Sequence, residues 1–344
     1  MKIGTFLKNW TLIIAIGTGI AGYFVYAAIP ALDSTRPLAH RTVAVVQPVL
    51  IFVMLFIAFS QVDPRRWRFH RWHAWLLLIQ CGLFSGIGCI LMALPHSPLR
   101  VVLEGAMICL ICPTATAGSV ITKKLGGDVD GIVAYTLLIN LAAALLVPAF
   151  VPLVHPVPGL TVWRASALIL GKVSPLLLLP LAAALAVRYT CPPLNRQIRA
   201  HQEVSFYLWA VALALATAVT TRSIVRSDVG VSTQCWLVAV SLVCCGLQFW
   251  LGRIVGTASR NSITAGQSLG QKNTVLAIWM GYTFFTPITA VVGGFYSIWH
   301  NVVNSYQLYL HRKGGGEVRP FGSPTDSSAE GDPSSSEAIN TRTA

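Results

Sequence analysis

Charge is what this chain has least of. Asp and Glu together number 12 in 344 residues, and charged residues of both signs make up 11%, where an average soluble domain carries roughly 25%. Hydrophobic residues reach 54% and the mean hydropathy is +0.65. Such a chain cannot solvate its own surface and belongs in a bilayer. Other absences narrow the function. No apolar run holds paired acids or a His-x-x-x-His helix, so the acid/base and metal constellations of an embedded enzyme are missing. The eight cysteines lie in or beside apolar runs, except Cys191 in a loop, with neither disulfide-framework nor zinc-finger spacing. A sensor would need an output domain, and the polar stretch after 313 is too short and too apolar-poor to fold as one.

What the chain does have is ten apolar runs long enough to span a membrane, at 10–30, 42–62, 74–94, 102–122, 132–154, 165–187, 204–221, 234–251, 264–285 and 287–310. The fold class is therefore an all-α polytopic membrane protein, with a transmembrane domain over 1–313 and a disordered tail over 314–344. The first run is too long for a signal peptide and lacks a small-residue cleavage site, so it is expected to be retained. Basic residues alternate in density along the loops, with seventeen on the side of the N-terminus and six on the other. The positive-inside rule then places both termini in the cytoplasm, at a bacterial inner membrane. The net charge of +13 reflects this topology, so a nucleic-acid partner is not expected; the expected partners are the lipid bilayer and a small organic anion. The sequence leaves the oligomeric state open.

Two runs are interrupted at mid-membrane depth. The fourth holds CPTATAGS (112–119) and the ninth holds SLGQKN (268–273). In lipid an unpaired backbone N–H or C=O costs several kcal/mol, so a span breaks only where the freed groups meet protein or line a cavity. Five is odd, so two successive five-span halves enter the bilayer in opposite directions, and the fourth run corresponds to the ninth. Paired breaks in inverted repeats point to a transporter's substrate site.

In the fourth run Pro113 removes a backbone donor and opposes the carbonyl of Cys109. Gly118 weakens the same stretch, while Thr114, Thr116 and Ser119 supply hydroxyls. A proline kink with Ser/Thr packing is the bland alternative. In the ninth run Lys272 lies about 16 Å from the inner end at 1.5 Å per residue, flanked by Ser268, Gly270, Gln271 and Asn273. A lysine at that depth needs a function or a partner. Secondary candidates are Cys112, Pro113, Thr136, Lys172, His300 and Asn301. Glu104 is expected to face headgroups, Lys172 to snorkel or to serve the site, and His300, Asn301 and Asn304 to bond between helices.

At these segments the chain resembles the bile acid:sodium symporter family, as a divergent bacterial member. The resemblance is carried by CPTATAGSVITKKLGGDV (112–129) and SLGQKNTVLAIWMGYTFFTPITAVVGGFYSIWHNV (268–302), above all Gly270, Asn273, Leu276, Ala277 and Pro287. It implies ten helices in two inverted repeats, with a panel of spans 1, 2, 6 and 7. A core of spans 3–5 and 8–10 would hold the unwound, crossing spans 4 and 9.

The departures bear on coupling. The family's Pro-Gly-Gly-Thr-Ala-Ser-Asn places its serine and asparagine on Gly118 and Ser119. Its Glu-x-Gly-x-Gln-Asn falls on Ser268, Gly270, Lys272 and Asn273, whereas a shift of one residue restores Gln271 and loses the anchors. Serine thus stands where a sodium-binding glutamate is implied, and lysine where a glutamine is. An ammonium donates only and repels a cation by about 4 kcal/mol at 4 Å and an effective dielectric of 20.

The expectation is sodium-independent transport with no cofactor, in which Lys272 takes the ion's place and donates to carbonyls around 112–116. Proton exchange at Lys272 is a second expectation. Two alternatives remain: a sodium-coupled bile acid or organic anion symporter, and an arsenite exporter using Cys112 as a soft ligand.

Overall fold

The computed structural model describes residues 3–61, 68–201 and 203–314, with side chains from residue 11. The tail expected over 314–344 lies, apart from Gly314, outside the described residues. The chain is all-α among those residues: α1 (Ile3–Ala28), the 3-10 turn η1 (Pro30–Thr35), α2 (Arg36–Ser60), α3 (Arg71–Ala93), α4 (Arg100–Ile111), α5 (Ala117–Lys124) and α6 (Val129–Val154) form the first half. The second half holds α7 (Val162–Thr190), α8 (Pro192–Ala200), α9 (Glu203–Val225), α10 (Val231–Thr257), α11 (Ser262–Gly270), α12 (Thr274–Phe284) and α13 (Val291–Lys313).

Among the described residues, seven helices are singly long and apolar enough to cross a membrane. The fourth span is divided between α4 and α5 and the ninth between α11 and α12, and α13 supplies the tenth. It begins four residues later than the apolar run because Thr286, Pro287 and Thr289 form a turn, with the two threonine hydroxyls 2.6 Å apart. The short η1 and α8 are additions that hydropathy alone did not mark.

Helix packing repeats between the halves. The first span packs on the seventh (α1 on α9) and the sixth on the second (α7 on α2); α3 packs on α4, α6 and α11, and α10 on α11, α13 and α4. Exchanging the halves maps each pair onto another, as a two-fold axis requires.

One proline inside a helix has its freed carbonyl met across the bundle. Pro148 in α6 opposes the Ala144 carbonyl, and Ser174 Oγ of α7 donates to it at 3.4 Å. An apolar core of Ile51, Leu55, Phe84, Met107, Ile111 and Val275 ties α2, α3, α4 and α12 together and carries the two breaks at its centre.

Candidate functional site

The break in the fourth span begins at Cys112, whose ψ of 128° leaves the helix; that in the ninth begins at Gln271, which is extended. The two extended runs cross and pair antiparallel. Thr114 and Lys272 form an isolated bridge. Ala115 N donates to Gln271 O at 2.9 Å and Asn273 N to Pro113 O at 2.8 Å. Each unwound segment thus satisfies backbone groups that the other left open, which is the condition for irregular backbone at membrane depth.

Side chains complete the crossing. Thr114 Oγ1 donates to Ser268 O at 2.6 Å and Cys112 Sγ to Asn273 O at 2.8 Å. Asn273 caps α12 by accepting from Leu276 N at 3.2 Å. Two glutamine–tyrosine couples, one in each half, buttress it from outside. Gln80 on α3 donates to Cys112 O at 3.1 Å and accepts from Tyr135 of α6 at 2.7 Å. Gln248 on α10 donates to Cys109 O at 3.2 Å, the carbonyl that Pro113 frees, and to Tyr296 OH of α13 at 3.1 Å. Tyr296 in turn donates to Gly270 O at 2.7 Å. Gly270 is required sterically, since a Cβ there would lie 2.4 Å from the Phe249 ring.

Lys272 is 1% exposed. Its Nζ has no hydrogen-bond partner among the described residues. This corrects the expectation that the amine ties the crossing by donating to carbonyls of 112–116: those of Cys112, Pro113, Ala115 and Thr116 accept instead from Gln80, Asn273 N, Gly118 N and Ser119 Oγ. The thiols of Cys81, Cys109, Cys112, Cys244 and Cys245 lie within its electrostatic range.

The other candidates divide between the crossing and its surroundings. Gln271 and Ser268 are buried at the crossing, and Gln271 Oε1 and Ser268 Oγ have no partner there. Thr116 stands at the N-cap position of α5 without a side-chain capping bond, and its carbonyl accepts from Ser119 Oγ at 3.0 Å. Gly118 sits under Ile132 and Thr114, which an added Cβ would meet at 3.1 and 3.3 Å. Thr136 bonds within its own helix, to Ile132 O at 2.8 Å.

Three expectations about spans near the site are corrected. Asn301 donates within α13, to Ser297 O, and His300 Nδ1 has no partner, so of that trio Asn304 alone bonds across helices, accepting from Gln267 at 3.1 Å. Glu104 does not face headgroups. It is 1% exposed and bonded to Arg100 Nε at 3.1 Å and His155 Nδ1 at 3.4 Å.

A cavity of about 530 Å³ opens at the end of the bundle that carries η1. Its walls are α1, α2, α7 and α9, with α12 on the far side. Arg36, His40, Lys172, Arg222 and Arg226 line it; among the described residues no carboxylate does, although Arg36 is ion-paired with Asp33. Arg222 bridges the walls, donating to His40 Nδ1 of α2 at 3.2 Å and to Tyr282 OH of α12 at 3.4 Å. Tyr23, Tyr26, Trp279 and Tyr282 supply the aromatic surface.

Sequence reading passed over Arg36, Arg222 and Arg226, which entered there only as basic residues on the sparsely charged side. Their signal was that three of the six basic residues on that side sit at ends of spans that must pack together.

A search of curated proteins gives no match to this chain. A family model, that of SBF-like CPA transporters, matches residues 27–295. That stretch contains both breaks, the crossing and the cavity walls supplied by α2, α7, α9 and α12, and the chain accordingly belongs to the SBF-like CPA transporter family, as a membrane transporter of the bile acid:sodium symporter type.

Proposed function

We propose that the protein carries small organic anions across a bacterial inner membrane by alternating access, without sodium. The observation that supports the substrate class is the cavity, whose charged lining is cationic throughout. A low-dielectric cleft lined by one sign of charge concentrates the opposite sign. Its position supports the mechanism: α12 of the crossing forms one wall and α1, α2, α7 and α9 form the others. These four helices act as the panel, and α3–α6 with α10–α13 as the core that rocks against it. The η1 end is the external face in this reading, with both termini in the cytoplasm.

Lys272 supports sodium independence. In its protonated form the amine is an ammonium beside the crossing, where an added cation would be repelled. Proton exchange at the same amine is the coupling this position permits. Sodium symport has in its favour the unpartnered oxygens Ser268 Oγ and Gln271 Oε1, yet no carboxylate accompanies them and Lys272 is adjacent. Arsenite export has less support, because the Cys112 thiol is buried and engaged with Asn273 O.

The test is uptake of a panel of organic anions by the purified protein in liposomes, in sodium and in choline, with and without an imposed pH gradient. Equal rates in the two salts are expected, together with a response to the pH gradient that Lys272→Gln removes. Uptake that requires sodium would refute the reading of Lys272.

A further inference from the structure

The cationic groups of the cavity stand at two depths. Arg36, Arg222 and Arg226 lie where α2 begins and α9 ends, at the mouth. Lys172 is ten residues inside α7 and Gln47 eleven beyond Arg36 on α2, about 15–16 Å down their helices at 1.5 Å per residue. Both line the same cavity. Gln47 is 4% exposed, and its Nε2 donor has no partner. A buried amide donor without an acceptor costs free energy unless something else supplies one. The floor therefore carries Lys172 and a buried amide N–H without an acceptor, and the mouth carries the guanidinium groups of Arg222 and Arg226, Arg36 being ion-paired with Asp33. Between the levels the wall is apolar or aromatic: Val43, Ala44, Val219 and Trp279.

From this two-level arrangement we infer that the cavity takes an organic dianion whose two anionic groups are separated by an apolar body. One group meets Lys172 and Gln47 at the floor, and the other meets Arg222 and Arg226 at the mouth. The inference rests on the reading of the protein as an anion carrier and adds the number and spacing of the charges. A single-headed anion satisfies one level and leaves the other unmatched. A short dianion cannot reach both. The volume lies in the usual range for small-molecule sites, about 300–1,000 Å³.

The experiment compares α,ω-dicarboxylates of rising length (succinate, azelate, dodecanedioate) with the monocarboxylates of equal carbon count (butyrate, nonanoate, dodecanoate), each below its micelle concentration. Thermal stabilisation of the detergent-purified full chain gives the affinities by mass action. A long dicarboxylate binding at least tenfold more tightly than succinate and than its own monocarboxylate is expected. Lys172→Gln should bring it down to the monocarboxylate level, and Lys172→Arg should restore the preference. Monocarboxylates binding as well as dicarboxylates would overturn the two-point site and leave anion transport standing. Failure of every carboxylate, with stabilisation by neutral or cationic solutes, would overturn both. Saturation of the cavity by phosphatidylglycerol, with no displacement by dicarboxylates, would make it a lipid site and overturn the inference.

Discussion

Thr114 and Lys272 sit opposite each other across one antiparallel backbone bridge, although 158 positions separate them in the chain. The bridge holds the Lys272 backbone while its amine remains buried without a hydrogen-bond partner. An uncompensated buried ammonium is costly, since desolvation of an ion amounts to several kcal/mol even after relaxation. A cell retains such a residue at a transporter's crossing when function requires it.

Lys272→Met, which keeps the length of the side chain and removes the charge, should therefore raise stability by about 1–4 kcal/mol and abolish uptake. Thermal unfolding in detergent and transport in liposomes check the two halves separately. A Met variant less stable than the parent would mean that the amine has a partner in the folded protein.

Thr114→Val removes the donor to Ser268 O and leaves a buried carbonyl unpaired. The expected loss is about 1–3 kcal/mol. Thr114→Ser keeps the hydroxyl and should lose less than half as much, so the pair of unfolding midpoints separates the hydrogen bond from the packing of the methyl group.

Gly270→Ala pushes a Cβ into the Phe249 ring, and overpacking of this kind costs about 1–3 kcal/mol. Phe249→Leu shortens the obstacle. The double variant should be more stable than the sum of the single effects predicts, and strict additivity in a double-mutant cycle would show that the two do not collide.

Arg222→Gln breaks the link from α9 to His40 and Tyr282 and removes a cation from the cavity mouth. Hydrogen bonds to a charged group contribute about 1.5–3 kcal/mol, so anion affinity should fall tenfold or more. The loss should shrink at high salt, where the parent's attraction is screened. An unchanged affinity, measured by ligand-dependent unfolding, would remove Arg222 from the site.

Much of the architecture was readable before any coordinates, for reasons of solvent. A span must be apolar for about 20 residues, so run lengths located the helices. Pro113 and Gly270 announced the two breaks through backbone chemistry that acts within a single turn. The partners of the broken backbone were not readable. Hydropathy records how deep a residue lies in the bilayer and not which way around the bundle it faces. Gln80 with Tyr135 and Gln248 with Tyr296 therefore looked like scattered polar residues, although each couple holds one side of the crossing.

Depth, breaks and family, then, were determined by the sequence itself, because transfer into lipid and the local stereochemistry of proline and glycine act on one segment at a time. Lateral position was decided by tertiary structure alone. Arg36, Lys172 and Arg222 stand on three separate helices and share a cavity only because α2, α7 and α9 pack together. Glu104 is hidden from headgroups only because Arg100 and His155 converge on it. Those arrangements depend on contacts between distant segments, whose energies no single stretch of chain contains.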